Sequence, residues 1–310
     1  MASQPDKAIV IGISGPSSSG KTTLARLLQT VFSGLEPKSL NTFIIHEDDF
    51  FLPDDQIPYT TTPSGKTLQD WDTVNAMDIP FLSSALSYVR KNGSLPPRLK
   101  SKEDLNEAFD SGVDGETIAQ LRADVGNRLL EKQQQRTAPS TLAFLEGFLL
   151  YSPPEAEVEE HVLRSVHRNI DVHLFLPAPY DIVKARRESR SGYVTTGPQP
   201  PVPTGAEAAV SSESKEVDLE AEDDRPPQNF WTDPPGYVDD IVWPRYVQDH
   251  SWLLLPEADS QDDDLVKRMG QGVNVRSDAG VIVAPGQGSK PAADILKWAV
   301  EEIMKYLLAE

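Results

Sequence analysis

The chain has 310 residues, a net charge of −19 at pH 7 and no cysteine. This length allows one large domain or two small ones. The acidity argues against nucleic acid as a partner, because a phosphate backbone needs a basic surface, and the lack of thiols excludes disulfides and thiolate metal sites.

The sequence shows neither a signal peptide at residues 1–7 nor a membrane span. No apolar run approaches the roughly 20 residues of a membrane span, and residues 1–7 lack the basic region and apolar stretch of a signal peptide. We therefore expect a soluble protein of the cytoplasm, with the nucleus left open, that has no membrane partner. The sequence leaves its protein partners unknown.

A glycine-rich loop follows the first predicted strand. Residues 8–13 are apolar and partly β-branched, which predicts a short buried parallel strand. The next segment, from Gly15 to Thr22, matches the phosphate-binding pattern G-x-x-x-x-G-K-[ST] in full. Apolar residues then recur at helical spacing, at Leu24, Leu27, Leu28 and Val31. Strand, loop and helix in this order predict a binding site for a nucleoside triphosphate.

The residue types in this loop suit phosphate and magnesium. Gly15 and Gly20 let the backbone point its N–H groups inward, and the following helix adds partial positive charge at its N-terminus. Lys21 would neutralise the β- and γ-phosphates, and the hydroxyl of Thr22 would hold Mg²⁺. The predicted ATP contacts of this segment are Gly15, Ser17, Ser18, Ser19, Gly20, Lys21, Thr22 and Thr23.

Further apolar runs along the chain predict a parallel sheet. Strands are expected at residues 42–45, 141–145, 172–176, 251–255 and 281–284, and helices at residues 77–90, 118–135, 180–190 and 290–308. Nearly continuous apolar strands that alternate with helices indicate an α/β fold, a three-layer sandwich whose parallel sheet is covered by helices on both faces. Ligands of such sheets bind at the carboxyl ends of the strands, so polar residues just after each strand are the candidates for chemistry.

Carboxylates follow two of these predicted strands. Asp48 and Asp49 come after the second strand, where a carboxylate would take a proton from an acceptor hydroxyl, help to hold Mg²⁺, or do both. Glu146 ends the strand at 141–145 and is in the usual place for a Mg²⁺ ligand. Paired acidic turn residues without a function are the alternative for Asp48 and Asp49.

A basic helix follows the fourth predicted strand. Arg186 or Arg187 shares a helical face with Arg190, and such a face suits phosphate binding in a closing lid. A solvated basic surface is the alternative. The five histidines show no metal-ligand spacing, so we expect no zinc site. Aromatic residues in predicted loops would either stack on a flat ring or pack in a core: Trp71, Tyr193, Phe230, Trp231 and Tyr237.

A phosphate-binding loop also occurs in nucleotide switches. The chain has no N-K-x-D motif, and its D-x-x-G sequence lies in a proline-rich segment at residues 233–236. A phosphotransferase acting on a small hydroxyl compound therefore fits better than a switch or scaffold protein without kinase activity.

Six segments together resemble the nicotinamide riboside kinases, which belong with the uridine kinase-like P-loop kinases. They are IGISGPSSSGKTTLA at residues 11–25, DDFF at 48–51, LQDWD at 68–72, EGFLL at 146–150, DPPGY at 233–237 and VWPRY at 242–246. The resemblance covers most of a single kinase domain at residues 1–310. It leaves out three apparent insertions, at about 92–135, 194–228 and 256–278. The second is expected to be disordered, since residues 207–224 contain eight acidic residues against one lysine.

The resemblance implies an ATP- and Mg²⁺-dependent kinase that phosphorylates the 5′-hydroxyl of nicotinamide riboside, a step of NAD salvage. It implies that Asp48 is the base, that Thr22 and Glu146 serve Mg²⁺, and that Arg186 and Arg190 contact the phosphates of ATP. A uridine or cytidine kinase is the alternative. The use of nicotinic acid riboside, the preferred triphosphate and the oligomeric state stay open.

The same resemblance assigns residues to the riboside. Asp72, Arg187 and Asp233 would hold the ribose hydroxyls. Trp71 stands where the family has a tyrosine near the pyridine ring. A second family aromatic lies in the lid, and Tyr193, Trp231 and Phe230 are all candidates for it.

Overall fold

A five-stranded parallel sheet lies at the centre of the structure, a computed structural model. The residues described are 6–35, 40–101, 110–133, 141–199, 218–220, 226–253, 272 and 275–309. Across the sheet the strands are β2 (Asn41–His46), β5 (Thr141–Gly147), β1 (Ala8–Ser14), β6 (Val172–Phe175) and β9 (Ile282–Val283). Every neighbouring pair is parallel. β1 is central and buried along its whole length, which explains its continuous apolar sequence.

Helices cover both faces of this sheet. They are α1 (Lys21–Phe32), α2 (Ile79–Asn92), α3 (Gly115–Gln133), α4 (Arg164–His167), α5 (Tyr180–Glu188), α6 (Trp243–His250) and α7 (Ala292–Ala309). Ile11 and Phe144 pack on one face with α1 and α7, whereas Val10 and Ala143 pack on the other face with α2. The predicted three-layer α/β sandwich is therefore confirmed. Within the part of the chain that the structure describes, no helix has the length and hydrophobicity to cross a membrane.

The ends of α2 follow ordinary capping chemistry. The side chain of Asp78 accepts a hydrogen bond from the backbone N–H of Phe81 at 2.9 Å, and Pro80 occupies the first turn. The helix ends at Gly93, whose φ of 73° is left-handed. These signals explain why the helix begins two residues later than the predicted residue 77.

An antiparallel hairpin corrects one prediction. β7 (Tyr193–Thr196) pairs with β8 (Gln228–Trp231), so the expected disorder at residues 194–228 is wrong at the start of that range. The strand forms because its β-branched residues favour extended backbone, and Thr195 and Thr196 are buried. Residues 200–217 and 221–225, with most of the acidic run, lie outside the described residues. A smaller hairpin joins β3 (Tyr59–Thr61) to β4 (Thr67–Gln69).

Two further predictions differ from the structure. The strand predicted at residues 251–255 is instead a 3₁₀ turn at Ser251–Leu253 that continues α6, and residues 254–255 lie outside the described residues. A short apolar run can form either a strand or a helical turn, so its sequence alone does not distinguish them. Here the segment directly follows α6 and continues as a helical turn. The predicted solvated helix at 118–135 exists as α3, but Val125 is fully buried against α1 and α7. Ile118, Leu121 and Leu129 are partly buried against the same core, so one side of the helix is apolar and the other is solvated.

We predict that Leu28→Ala lowers the free energy of unfolding by about 2–5 kcal/mol, because Leu28 has 0% exposure beneath the sheet and its removal leaves a cavity. Leu130→Ala is the matched control, since Leu130 is 43% exposed and should change stability by less than about 0.5 kcal/mol. Urea denaturation of the two variants measures both values. Equal losses would contradict the core described above.

Candidate active site

One large cavity opens at the carboxyl ends of the parallel strands. It encloses about 470 Å³ and reaches from the phosphate-binding loop to a group of aromatic rings. The predicted site residues that line it are Ser17, Ser18, Ser19, Gly20, Lys21, Thr22, Thr23, Asp48, Trp71, Asp72, Glu146, Arg186, Arg187, Arg190, Tyr193 and Trp231. Gly15 and Asp233 lie next to this set without being part of the cavity wall that the structure describes.

The loop between β1 and α1 is shaped to receive an anion. Gly15 has a φ of 149°, and a Cβ there would lie 2.3 Å from the carbonyl oxygen of Leu176. Only glycine allows this close approach. Gly20 then forms the N-terminal boundary of α1. Among the described residues, the buried hydroxyls of Ser18 and Ser19 have no hydrogen-bond partner, as expected of donors that face a ligand.

Lys21 lies beneath this loop, where its ammonium donates to the carbonyl oxygen of Pro16 at 3.0 Å. Burial lowers the pKa of Lys21, and the carboxylates of Glu146 and Asp48 oppose that shift. The cation thus stands near two acids and at the base of the phosphate loop.

Polar groups from three elements meet at the end of β5, namely α1, β5 itself and β2. The hydroxyl of Thr22 donates to Oε1 of Glu146 at 3.0 Å, and Nδ1 of His46 lies 2.7 Å from the same oxygen. Burial opposes ionisation of Glu146, but the hydrogen bond and charge of His46 and the charge of Lys21 bring the pKa of Glu146 below its ordinary value. An ionised carboxylate beside a hydroxyl is the hard oxygen set that Mg²⁺ prefers, so these residues fit that metal.

Asp48 is part of a 3₁₀ turn, Glu47–Phe50, that directly follows β2. Its side chain lines the cavity. Burial raises the pKa of Asp48 and Glu146 raises it further, whereas Lys21 lowers it. A carboxylate with increased proton affinity beside a phosphate site is suited to general base catalysis.

Arg187 connects the phosphate loop to two acids. Its guanidinium donates to both carboxylate oxygens of Asp72, at 3.1 and 3.2 Å, and to those of Asp233, at 2.7 and 3.3 Å. It also donates to the hydroxyl of Ser17 at 2.9 Å. Burial raises the pKa of Asp72 while Arg187 opposes that rise. The three residues predicted to hold the ribose are therefore brought together.

Two further arginines, Arg186 in α5 and Arg190 just beyond its end, lie near the phosphate loop and the hairpin. Arg186 donates to the carbonyl oxygen of Ser18 at 3.2 Å. The guanidinium of Arg190 lies over the ring of Tyr193, 4.8 Å from its centroid, and Arg187 lies 5.1 Å from the same ring. The ring of Tyr193 therefore packs against the guanidinium groups of Arg187 and Arg190.

Four aromatic rings form the other end of the cavity. Trp71 lies edge-on to Phe51 at 5.4 Å between centroids and 5.6 Å from Trp231, and Phe51 stacks on Phe148 at 6.1 Å. Nε1 of Trp231 donates to Asp233 at 2.9 Å, which fixes its ring near that of Trp71. Phe230, in contrast, is 54% exposed. Trp231 is therefore a lid aromatic in ring contact with Trp71.

Supporting residues around the site include Tyr237, one of the aromatics expected to stack or pack, and others that sequence reasoning missed. The buried hydroxyl of Tyr237 accepts from the backbone N–H of Trp71 and donates to the carbonyl oxygen of Gln69, both at 3.0 Å. Glu47 is also fully buried beside the site. Phe51 and Phe148 lie within the D-D-F-F and E-G-F-L-L segments, so their position in those segments was the available signal.

Comparisons with known proteins agree with this geometry. No protein-family model matches the chain. The chain is 29% identical over 250 residues to nicotinamide riboside kinase of Schizosaccharomyces pombe, a match that covers 80% of this chain and 82% of that protein. It is 23% identical over 303 residues to nicotinamide riboside kinase of Saccharomyces cerevisiae, covering 96% and 97%. The chain is similar to nicotinamide riboside kinases. The resemblance predicted from the sequence segments is thereby confirmed.

A solved structure described as a possible uridine kinase from Bacillus stearothermophilus is also similar, at 16% identity and a TM-score of 0.33. The match covers 61% of this chain and 85% of that one. The α/β assignment does not depend on this similarity. It is based on the order and parallel pairing of the strands in the chain itself.

We predict that Arg187→Ala lowers the free energy of unfolding by about 3–5 kcal/mol, because it leaves two neighbouring carboxylates, Asp72 and Asp233, without their counter-ion. Arg186→Ala is the matched control at the next position, since Arg186 is exposed and makes one backbone contact. That control should change stability by less than about 0.5 kcal/mol. Chemical denaturation at neutral pH measures the difference, and similar losses in the two variants would argue against the buried ion cluster.

Proposed function

We propose that the chain is a kinase that transfers the γ-phosphoryl group of ATP, with Mg²⁺, to the 5′-hydroxyl of nicotinamide riboside. The observation that carries this proposal is the cavity itself, which joins a phosphate loop to an aromatic end and has Asp48 in its wall. The similarity to nicotinamide riboside kinases supports the choice of substrate.

The proposed mechanism uses residues of this chain at each step. The loop N–H groups and Lys21 bind the phosphates of ATP, and Arg186 in α5 and Arg190 just beyond its end contact them. Thr22 and Glu146 would hold Mg²⁺, which when bound neutralises phosphate charge. Because that charge grows on the oxygens of the transferring group, fixed cations stabilise the transition state more than the ground state.

The acceptor is oriented from the opposite side. Asp72 and Asp233, ordered by Arg187, would accept hydrogen bonds from the ribose hydroxyls. Asp48 would accept the proton of the 5′-hydroxyl and point its oxygen at phosphorus. Trp71 and Trp231 would pack against the pyridinium ring, since a cation is attracted to the face of an indole.

The second candidate is a uridine or cytidine kinase with the same phosphate chemistry. Reading a pyrimidine edge requires polar side chains aimed at the base. The described rings at this end are Phe51, Trp71, Phe148 and Trp231, which favour stacking over edge recognition. This aromatic lining favours the cationic nicotinamide as the acceptor base.

A coupled assay of ADP release tests the proposal with ATP and Mg²⁺ against nicotinamide riboside, nicotinic acid riboside, uridine, cytidine and no acceptor. We expect turnover with nicotinamide riboside and little with the pyrimidine nucleosides. Turnover with uridine or cytidine alone would assign the site to the second candidate. Nucleotide binding without acceptor-dependent release would refute kinase activity and favour a switch or scaffold protein.

We predict that Asp48→Ala lowers kcat by about 10²–10⁴-fold, because the reaction loses its general base. Affinity for ATP should be nearly unchanged, since the phosphate loop and Lys21 are intact. Asp55→Ala is a suitable control because Asp55 is exposed on a neighbouring turn. Steady-state kinetics and nucleotide titration measure the two effects, and an Asp48→Ala enzyme with normal kcat would remove the residue from the mechanism.

A further inference from the structure

Glu47 links the two loops that carry the acids of the proposed site. Its side chain is fully buried, with 0% exposure. Its Oε2 accepts hydrogen bonds from the backbone N–H groups of Phe148 at 2.6 Å and Leu149 at 3.0 Å. Since β2 and β5 align His46 with Glu146, the carboxyl group of Glu47 bridges the points at which these two strands end.

Gly147 makes this contact sterically possible. A Cβ at position 147 would lie 2.3 Å from Oε2 and 2.5 Å from Cβ of Glu47, distances that real side chains essentially never show. The φ of Gly147 is not in the left-handed region, so its backbone conformation does not by itself require glycine. Position 147 therefore requires glycine because the side chain of Glu47 approaches it so closely, and the two turns pack tightly against each other.

Each of these turns carries groups of the proposed reaction. Asp48 directly follows Glu47, Glu146 directly precedes Gly147, and Phe148 contributes a ring to the acceptor end of the cavity. Glu47 itself is not among the described residues of the cavity wall. With 0% exposure and a position behind that wall, Glu47 would act on the reaction through its neighbours.

We propose that Glu47 is a positioning residue that fixes Asp48 and Glu146 relative to each other by accepting the backbone N–H groups of Phe148 and Leu149. The role rests on the proposed kinase function, because it concerns the base and the magnesium ligand of that reaction. A misplacement of such groups by about 1 Å can cost about 10²-fold in rate.

The link requires an acceptor oxygen and no particular charge. Burial raises the pKa of Glu47 to about 8, while the N–H groups of Leu149 and Phe148 oppose the rise. Both forms of a carboxyl group, and also the amide of glutamine, offer an oxygen that accepts two hydrogen bonds. A glutamine at position 47 should therefore preserve the link, whereas alanine should break it.

The test compares Glu47→Gln and Glu47→Ala in the acceptor assay. We expect Glu47→Gln to keep kcat within about threefold of the parent. Glu47→Ala should lose about 10- to 100-fold in kcat, with a smaller change in KM for the riboside. A second readout needs no acceptor: titration calorimetry of ATP with Mg²⁺ and with EDTA should show that Mg²⁺ enhances binding less in Glu47→Ala.

A second route to the same conclusion uses Gly147. Gly147→Ala should displace the Glu47 carboxyl group and lower kcat as Glu47→Ala does. In a Glu47→Gly background the same substitution should change kcat by less than about threefold, because both Oε2 and Cβ of residue 47 are then gone. This comparison does not use the Glu47→Ala variant, so it stays informative if Glu47→Ala folds poorly.

Asp78→Ala is the control that distinguishes a loss of positioning in the site from a general loss of stability. Asp78 also accepts a backbone N–H, that of Phe81, but at the start of α2 and outside the described cavity wall. This variant should unfold at a lower temperature while kcat and the Mg²⁺ enhancement are retained.

Two results would overturn the inference: normal kcat and Mg²⁺ enhancement in folded Glu47→Ala, or equal losses in Glu47→Gln and Glu47→Ala. Failure of the proposed function is distinguishable, because the parent protein would then show no turnover with the riboside. The calorimetric comparison would still test the link between Glu47 and Glu146.

Discussion

The parallel register of β1, β5 and β2 is the constraint on which the site depends. It aligns Ile13 with Glu146 and Glu146 with His46, so all three strands end at one level. From that level α1 presents Thr22 to Glu146, and the turn after β2 presents Asp48 to the same cavity. A shift of one residue in the pairing of β5 would turn Glu146 to the opposite face of the sheet, away from Thr22.

Three buried acids, Glu47, Asp48 and Glu146, lie close together, and their ionised forms are stable only where neighbouring groups compensate for lost hydration and mutual repulsion. Burial disfavours the ionised forms of Glu47, Asp48 and Glu146 alike, but their surroundings differ. Glu146 has His46, Lys21 and Thr22, and its pKa falls, whereas the pKa values of Glu47 and Asp48 rise. Groups of one type with pKa values pushed apart in one cleft are typical of sites that assign them different tasks.

Sequence patterns predicted the elements whose signal is local. The phosphate loop needs glycine at fixed spacing, and the buried strands need continuous apolar residues, so both could be located. The hairpin at β7 and β8 could not, because its partners are separated by a long acidic segment and its burial is created by distant contacts. Asn229 and Thr195, for example, both donate to the Asp54 carboxylate. Glu47 was missed for a related reason, since its role depends on the glycine opposite it in space.

Arg187 of α5 connects acids on two sides of the cavity to the phosphate loop. Asp233, close to β8, and Asp72, after β4, share the single guanidinium of Arg187, which also reaches Ser17 in the phosphate loop. The five N–H donors of an arginine are fixed in one plane, so a guanidinium that turns toward one acceptor changes its hydrogen bonds to the others. In the proposed reaction, a ribose held by Asp72 and Asp233 would have to adjust the same guanidinium that contacts Ser17 of the phosphate loop. Acceptor binding and phosphate binding would then be connected through one side chain that joins the two ends of the cavity.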